Sequence, residues 1–233
     1  MKRLLSLSAL LLSAGCAGSL PQDAPPGMPA QVGAPQIRAG DAWKYSFHDG
    51  YTKLSRGTLE YRVTAVQGDE VTVQLHREGG ESTERYTRDW NWRERRMTNL
   101  QNFHYDPPYP ALPFPLEAGK TWRAIVKATD PATGRVNRVR VDGKVLGWDR
   151  VKVPAGEFDA LAVRRLVYAG NQEHFLSEEY ITEIDWYSPE AGGIVKHSSN
   201  SGHRDTRLGC DRFCNQWVDG GWNVVELVSR PRR

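Results

Sequence analysis

Residues 59–76 read LEYRVTAVQGDEVTVQLH, and their alternation indicates the kind of fold that the chain adopts. Apolar residues occupy every second position of two runs, which begin at Leu59 and at Val71, and polar residues fill the positions between them. A period of two places the two sets of side chains on opposite faces of a β-strand. Because Gly68 and Asp69 separate the two runs, the sequence predicts a β-hairpin over 59–76.

The same alternation continues along the chain. Further strands are predicted over 138–142, 144–153, 158–168, 174–187 and 222–228. Turn residues stand between them at Asp142-Gly143, Pro154-Ala155-Gly156, Ala169-Gly170-Asn171 and Asp219-Gly220-Gly221. No long helical stripe is visible, and 22 glycines and 14 prolines suit short strands joined by turns. We therefore predict an all-β fold, built as an antiparallel sandwich or as an open or half barrel.

The predicted strand 174–187 has one largely apolar face and one largely charged face. The apolar face carries His174, Leu176, Tyr180, Ile184 and Trp186. Glu178 and Glu179 are adjacent, so their side chains point to opposite faces of a strand and do not form a catalytic carboxylate pair. We interpret them, together with Asp185, as surface charges.

The composition describes a globular protein that is not dedicated to nucleic acid. Of its 233 residues, 39% are hydrophobic and 25% are charged, proportions that exclude a disordered chain. The formal net charge is +3, and Lys2 and Arg3 at the extreme N-terminus supply two of these charges. The small excess that remains is unlike the strongly basic surface of a nucleic-acid-binding protein. We predict no nucleic-acid partner.

The N-terminus, residues 1–15, is a secretory signal peptide. A positive start precedes an apolar run through Leu12 that is too short to span a membrane. Ser13-Ala14-Gly15 places small residues directly before Cys16, and this order resembles a bacterial lipoprotein signal. The resemblance implies that Cys16 is lipidated, with acyl chains such as palmitate, and Ala17 after it implies the outer membrane. The alternative is ordinary cleavage, which leaves Cys16 unmodified and the protein soluble in the periplasm.

The mature chain divides into a tether and a folded domain. Residues 16–36 begin with the lipidated cysteine and are rich in Pro, Ala and Gly, with a single charged residue. Such a composition predicts a flexible tether between a lipid and a domain. Residues 37–233 are predicted to form one all-β periplasmic domain.

A short internal repeat divides that domain. The sequence AGDAWK over 39–44 recurs as AGKTWR over 118–123. Two duplicated meanders, over 37–102 and 117–200, would produce this repeat, and chance similarity is the alternative. The connector 103–116 contains five prolines, which predict that it forms no central strand.

Cys210 and Cys214 are the two cysteines that remain besides Cys16. In an exported protein this pair predicts a local disulfide bond that fixes the loop before Trp217. A redox motif would have two residues between the cysteines, and haem attachment would need His where Asn215 stands. A redox or metal site is the alternative to the structural disulfide.

The sequence predicts no catalytic residue, no metal ligand and no cofactor. His197, His203 and Asp205 lie close together, but their Ser/Gly-rich stretch HSSNSGHRD has no defined ligand spacing and is interpreted as a solvated loop. Most of the eight tryptophans are expected to pack in the core. Trp90 and Trp92, on one predicted strand face beside polar residues, are the first candidates to bind a ligand.

Two further segments resemble a group of uncharacterised bacterial envelope lipoproteins. They are VKVPAGEFDA over 151–160 and WYSPEAGGIVK over 186–196, accompanied by the Gly-x-x-Trp pattern at 40–43 and 119–122. The resemblance implies a secreted or lipid-anchored antiparallel β domain of unknown function, and it transfers no catalytic residue. The Pro-Ala-Gly segment is expected to make a tight turn, with Phe158 packed in the core beside it.

Taken together, these features predict a lipid-anchored protein on the periplasmic face of the outer membrane. Its predicted role is non-enzymatic: it binds a lipid or glycan of the envelope, or it is an accessory subunit that binds an envelope protein. Two other classes stay open. A lipid or lipoprotein carrier would need a hydrophobic cavity, and a hydrolase of envelope polymers would need a cleft with paired carboxylates or a histidine site.

Overall fold

The computed structural model of the chain describes residues 20–96, 102–169, 179–206 and 215–231. Within these ranges it consists of twelve β-strands and contains no helix. The strands are β1 (Ala42–Asp49), β2 (Ser55–Gln67), β3 (Glu70–Arg77), β4 (Gly80–Thr87), β5 (Trp92–Arg96), β6 (Asn102–Tyr109), β7 (Thr121–Thr129), β8 (Val136–Val153), β9 (Gly156–Tyr168), β10 (Glu179–Ser188), β11 (Gly193–Thr206) and β12 (Asn215–Ser229). The all-β prediction is confirmed, and β2 and β3 form the hairpin predicted over 59–76.

The twelve strands close into one antiparallel barrel. Each strand pairs with its neighbours in the chain, and β1 also pairs with β12. Phe47 stands opposite Val225, and Asp49 stands opposite Asn223. Closure leaves no free sheet edge among the described strands, which protects the barrel from edge-to-edge association.

The strands alternate in direction, so the barrel has two distinct ends. We call the end at which β1, β3 and β5 begin the near end, and residues 110–120 lie there between β6 and β7. We call the opposite end, at which β1, β3 and β5 finish, the far end.

Residues 20–36 pack against the barrel, so the prediction that 16–36 is a flexible tether is wrong for this part. Val32 is buried and exchanges two 2.8 Å backbone hydrogen bonds with Leu116. Trp148 N donates to Pro21 O at 2.8 Å. Met28 packs against an apolar cluster that contains Val32, Leu116 and Trp148. Composition suggested a tether because Pro, Ala and Gly show no period, yet the barrel supplies both apolar contacts and backbone partners. Residues 16–19 lie outside the described ranges.

The connector 103–116 contains most of β6, so the prediction that its prolines exclude a central strand is wrong. β6 pairs with β7 only through residues 104–106. Pro107 and Pro108 follow directly, where β6 has no partner on β7, so their missing N–H groups remove no hydrogen bond from that ladder. Tyr109 then resumes pairing with β5.

Two of the predicted turns lie inside strands. Asp142-Gly143 belongs to β8, and Asp219-Gly220-Gly221 belongs to β12. At Gly143 a Cβ atom would stand 2.1 Å from ring atoms of Trp122, the residue opposite it on β7. This glycine therefore accommodates an indole ring on the neighbouring strand and does not reverse the chain. The Pro154-Ala155-Gly156 turn is confirmed between β8 and β9.

The two copies of the repeat have the same backbone geometry. Gly40 and Gly119 both have positive φ, at 92° and 84°. Gly40 N donates to Val63 O, and Gly119 N donates to Val145 O, each at 2.9 Å. Each copy runs into the first strand of a group of six, β1–β6 or β7–β12, and the duplication of two meanders over 37–102 and 117–200 stays a prediction.

The core consists of two apolar clusters. The larger one combines many valines with eight aromatic side chains: Trp43, Tyr45, Tyr86, Trp92, Phe103, Tyr105, Tyr109 and Phe158. In the smaller one, Trp148, Leu161 and Tyr187 meet Val32 and Leu116. The buried position of Phe158 confirms that it packs in the core.

Candidate functional site

Three charged side chains are buried together in the core: Arg165 on β9, and Glu183 and Asp185 on β10. Arg165 Nε donates to Glu183 Oε2 at 2.9 Å, and its Nη2 donates to Asp185 Oδ2 at 2.6 Å. Its Nη1 donates to Ala111 O at 2.9 Å, and Tyr109 OH donates to Glu183 Oε2 at 3.1 Å. The guanidinium is fully buried, and each of its three nitrogens has a partner.

The prediction that Asp185 is a surface charge is wrong. Asp185 and Glu183 are only 2% and 3% exposed. They are buried because Arg165 lies directly opposite Glu183 on β9 and balances both acids. The sequence contains a weak signal that the two acids are buried, because the apolar residues Ile181 and Tyr187 lie on the same strand face and are also buried.

Asp185 is held in its charged form by partners on both oxygens. Burial by itself raises the pKa of a carboxyl group, but the charges of Arg165 and His197 outweigh it, so the pKa of Asp185 is lowered. Burial also disfavours a charged guanidinium, but Asp185 and Glu183 outweigh it and raise the pKa of Arg165. His197 Nδ1 lies 2.6 Å from Asp185 Oδ1. Removing one member of such a network leaves an uncompensated buried charge.

A second buried group lies on β4 and β5. Tyr86 OH donates to Glu84 Oε2, and Arg95 Nε lies 3.7 Å from the same oxygen. The Arg95 guanidinium also lies 4.4 Å from the centroid of the Trp92 ring, within the range of a cation–π contact. Burial raises the pKa of Glu84, and Arg95 only partly offsets this. Burial likewise raises the pKa of Tyr61 to about 12.

A cavity of about 180 Å³ inside the barrel is lined by members of both buried groups. Its wall comes from eight strands that are consecutive around the barrel, from β10 through β12 and β1 to β5. We call it the main cavity. A smaller cavity of about 50 Å³ shares four lining residues with it: Tyr61, Arg95, His197 and Val225. The barrel interior thus contains space that is bordered by both aromatic and charged side chains.

Two polar atoms of the main cavity's residues are buried without a hydrogen-bond partner among the described residues. They are Ser199 Oγ and Arg96 Nε. A buried polar atom that lacks a partner costs about 1–3 kcal/mol, so it marks a place where a bound molecule or water would be stabilising. Burial, together with the positive charge of Arg77, lowers the pKa of Arg96. This part of the wall therefore offers donors and positive charge.

Trp90 and Trp92, the predicted ligand-binding residues, do not share a strand face. Trp90 lies in the turn between β4 and β5 with a positive φ of 63°, and its ring stacks on Tyr86 at 4.5 Å. Trp92 begins β5, is buried, and stacks on Tyr109 at 4.2 Å. Trp92 lines the main cavity and Trp90 lines the smaller one. A role in ligand binding stays a prediction for both.

His197 lies on β11 and not in a solvated loop, so that interpretation is wrong. The stretch HSSNSGHRD belongs to β11, which pairs with β10 on one side and with β12 on the other. Ser and Gly favour loops on average, but hydrogen bonding on both sides makes this stretch a strand. His197 contacts Asp185, whereas His203 lies six positions further along the strand and is half-buried. The side chain of Asp205 lies outside the described residues.

The three cysteines lie outside the described residues, so lipidation of Cys16 and a Cys210–Cys214 disulfide bond stay predictions. Within the described ranges, no three His, Cys, Asp or Glu side chains are grouped in a way that could hold a metal ion. The same ranges contain no helix with the length and apolar character of a membrane span.

No known protein family and no curated protein matches the chain in sequence. Several solved structures resemble it, among them the following three. A candidate lipoprotein from Parabacteroides distasonis has 14% identity and a TM-score of 0.49, covering 88% of this chain and 100% of its own. A candidate exported protein with a YmcC-like fold from Bacteroides fragilis has 14% identity and a TM-score of 0.48, covering 87% and 100%. The hypothetical lipoprotein YmcC from Escherichia coli has 7% identity and a TM-score of 0.41, covering 83% and 85%. At these scores the likeness carries no argument about function.

Proposed function

We propose that this protein is an exported, lipid-anchored binding protein that holds a small molecule inside its barrel. The observation that carries the proposal is the main cavity of about 180 Å³. Well-packed cores contain few voids larger than a water molecule. An engineered apolar cavity of roughly 150 Å³ is enough to bind benzene. A space of this size, with charged groups aimed at it, is therefore suited to a small ligand.

The residues that line the main cavity support the proposal that it binds a ligand. Phe47, Leu59 and Leu75 supply an apolar wall, and Ser199 and Arg96 contribute polar atoms without partners. A few convergent polar groups on an apolar surface are typical of ligand sites.

The anchor rests on the N-terminal sequence. Lipidation at Cys16 would place the barrel close to the bilayer, because residues 21 onward already pack on it. Pro21 lies five positions after Cys16 in the sequence, and a fully extended chain over those five steps spans about 17 Å. Mass spectrometry of the mature N-terminus tests this part, and an unmodified Cys16 would contradict it.

The two other classes are less well supported. A carrier of whole lipids needs more space than the main cavity offers, since each acyl chain alone contains many methylene groups. A polymer hydrolase needs an accessible cleft and free carboxylates, whereas Glu183 and Asp185 are both bound by Arg165. Two carboxylates held by one buried arginine are not available for acid–base chemistry.

The experiment is native mass spectrometry of the mature protein purified from the periplasm, compared between two matched variants. Ser199→Phe places a ring at the cavity wall, because Ser199 is buried and its hydroxyl has no partner. Thr182→Phe places the same ring on an exposed position of neighbouring β10. We expect a co-purified small molecule in the wild type and in Thr182→Phe, and its loss in Ser199→Phe. Equal retention in both variants would overturn the proposal.

A further inference from the structure

We infer that the ligand of the main cavity is a small organic anion, whose acidic group is bound by Arg77 and Arg96 and whose apolar body contacts Phe47, Leu59 and Leu75. This inference rests on the proposed function, because it presupposes that a ligand enters the barrel.

Arg77 and Arg96 form a like-charged pair in the cavity wall. Arg77 ends β3, Arg96 ends β5, and both line the main cavity at the far end of the barrel. Burial, together with the positive charge of the neighbouring Arg77, lowers the pKa of Arg96. Two neighbouring guanidinium groups repel each other, and an anion between them removes that repulsion.

The other arginines of the interior already have their counter-charges. Arg165 is paired with Glu183 and Asp185. Arg95 is paired with Glu84, at 3.7 Å. Among the described residues, the carboxylates that line the main cavity are Glu84 and Glu183, the same two that serve these pairs. The positive charge of the cavity wall that these pairs do not balance therefore lies at the half-buried Arg96 and the exposed Arg77.

Two buried polar atoms of the cavity wall also lack a partner among the described residues. Arg96 Nε is buried and donates to no described group. Ser199 Oγ is buried without a partner, and its residue is only 4% exposed. Arginine has no acceptor, so a ligand that satisfies Arg96 must present a lone pair. A carboxylate or phosphate oxygen accepts from Arg96 and carries the charge that the arginines require.

The volume suits a small anion. The main cavity of about 180 Å³ is slightly larger than the engineered apolar cavity of roughly 150 Å³ that binds benzene, a molecule of six carbons. An acidic group with a short hydrocarbon body of about six carbons matches this space. The hydrocarbon would replace water along the apolar wall, where each buried methylene contributes about 0.8 kcal/mol.

The test uses isothermal titration of the mature wild-type protein with four probes: hexanoate, 1-hexanol, hexylamine and inorganic phosphate. We expect hexanoate to bind at least ten times more tightly than 1-hexanol, and hexylamine not to bind. Inorganic phosphate is expected to bind more weakly than hexanoate, because it lacks the apolar body. The hexanoate affinity is expected to fall as salt is added.

Matched arginine variants assign the site. Arg96→Gln, alone and with Arg77→Gln, is expected to reduce the hexanoate affinity to that of 1-hexanol. Arg93→Gln is the control, because Arg93 lies on the same strand but pairs with Asp69 and does not line the main cavity. Circular dichroism and the unfolding midpoint report whether each variant is folded.

The possible outcomes separate the inference from the proposed function. Equal binding of hexanoate and 1-hexanol, abolished by Ser199→Phe, would overturn the anion inference and leave an interior binding site. Tight hexanoate binding that survives both arginine substitutions would overturn the assignment to Arg77 and Arg96. Phosphate binding as tight as hexanoate binding would contradict the apolar body, and no binding of any probe would overturn both proposals.

Discussion

Arg165 is the residue on which the polar interior depends. It neutralises Glu183 and Asp185 and also donates to Ala111 O. Removing its side chain would lower the stability of the fold strongly, since it would leave two carboxylates in the core without a counter-charge. The interior polar network is thus held together by one guanidinium on β9.

Replacing Arg165 by leucine is expected to destabilise the fold by about 3–5 kcal/mol, because two buried charges lose their partner. Urea unfolding measures this loss. Arg164→Leu is the matched control on the adjacent, half-buried position of the same strand, and it should change the free energy of unfolding by no more than about 0.5 kcal/mol. Equal effects of the two substitutions would contradict a structural role for the buried charge.

The lowered pKa of Asp185 makes the fold sensitive to acid. A carboxyl group whose pKa is lower in the folded state contributes stability above its unfolded pKa, which is about 4. That contribution is lost as the pH falls from this value through the folded pKa. Urea unfolding between pH 7 and pH 3 should therefore show a loss of stability that is smaller in Asp185→Asn. A variant that follows the wild-type profile throughout would refute this assignment.

Glu84 is expected to have the opposite pH dependence. Burial raises its pKa above the ordinary value of about 4.3, so the folded state favours the protonated form. Its contribution to stability is present below that value and is lost as the pH rises through the folded pKa. The stability of Glu84→Gln relative to the wild type should therefore increase between pH 4 and pH 7. A difference that is constant with pH would show that burial does not control this carboxyl group.

At the scale of the elements, a tryptophan covering a glycine is a recurring device. A Cβ atom would stand 2.1 Å from Trp122 at Gly143, 2.1 Å from Trp222 at Gly50, and within 2.2 Å of Trp217 at Gly202. Each glycine makes room for an indole ring, which then covers the backbone of its neighbour. Of these three, only Gly143 belongs to a predicted turn, and it lies inside β8, where it accommodates the Trp122 ring.

Gly143→Ala is expected to destabilise the barrel by about 1–3 kcal/mol, because the added methyl group must displace the Trp122 ring. Thermal or urea unfolding measures the effect. Gly33→Ala is the control, since nothing lies within 4 Å of the position its Cβ would take. In a Trp122→Leu background the cost of Gly143→Ala should shrink, and strictly additive effects would contradict the proposed contact.

At the scale of the whole molecule, the N-terminal segment is part of the folded domain. It covers the smaller apolar cluster through Val32, which pairs with Leu116. Because this segment packs on the barrel, the folded domain begins only a few residues after Cys16 in the sequence. A lipid on that cysteine would therefore hold the part of β8 around Trp148 close to the bilayer, since the backbone N–H of Trp148 donates to Pro21 O.

Val32→Ala is expected to reduce the free energy of unfolding by about 1–2 kcal/mol, because two buried methyl groups are removed. Val136→Ala is the matched control, since Val136 is 54% exposed. Limited proteolysis should also cut residues 20–36 faster in Val32→Ala than in the control. If both variants behave like the wild type, the segment is a tether after all.

The sequence by itself determined the strands in which apolar and polar residues alternate clearly, because alternation with a period of two is a local property of neighbouring residues. It gave the hairpin at 59–76 and the turn at 154–156, and it indicated an all-β antiparallel fold. The tertiary structure decided which face of each strand is inside. The acids of β10 point inward because Arg165 stands opposite them, and alternation alone does not encode that choice.

Barrel closure and the cavity were also decided by the tertiary structure. Closure depends on pairing between β1 and β12, whose residues are about 180 positions apart in the chain. The main cavity depends on side chains from eight strands, and its unpaired Ser199 and Arg96 come from strands that local patterns cannot bring together. A local pattern predicts an element, but a site that is assembled from distant elements exists only once the barrel has closed.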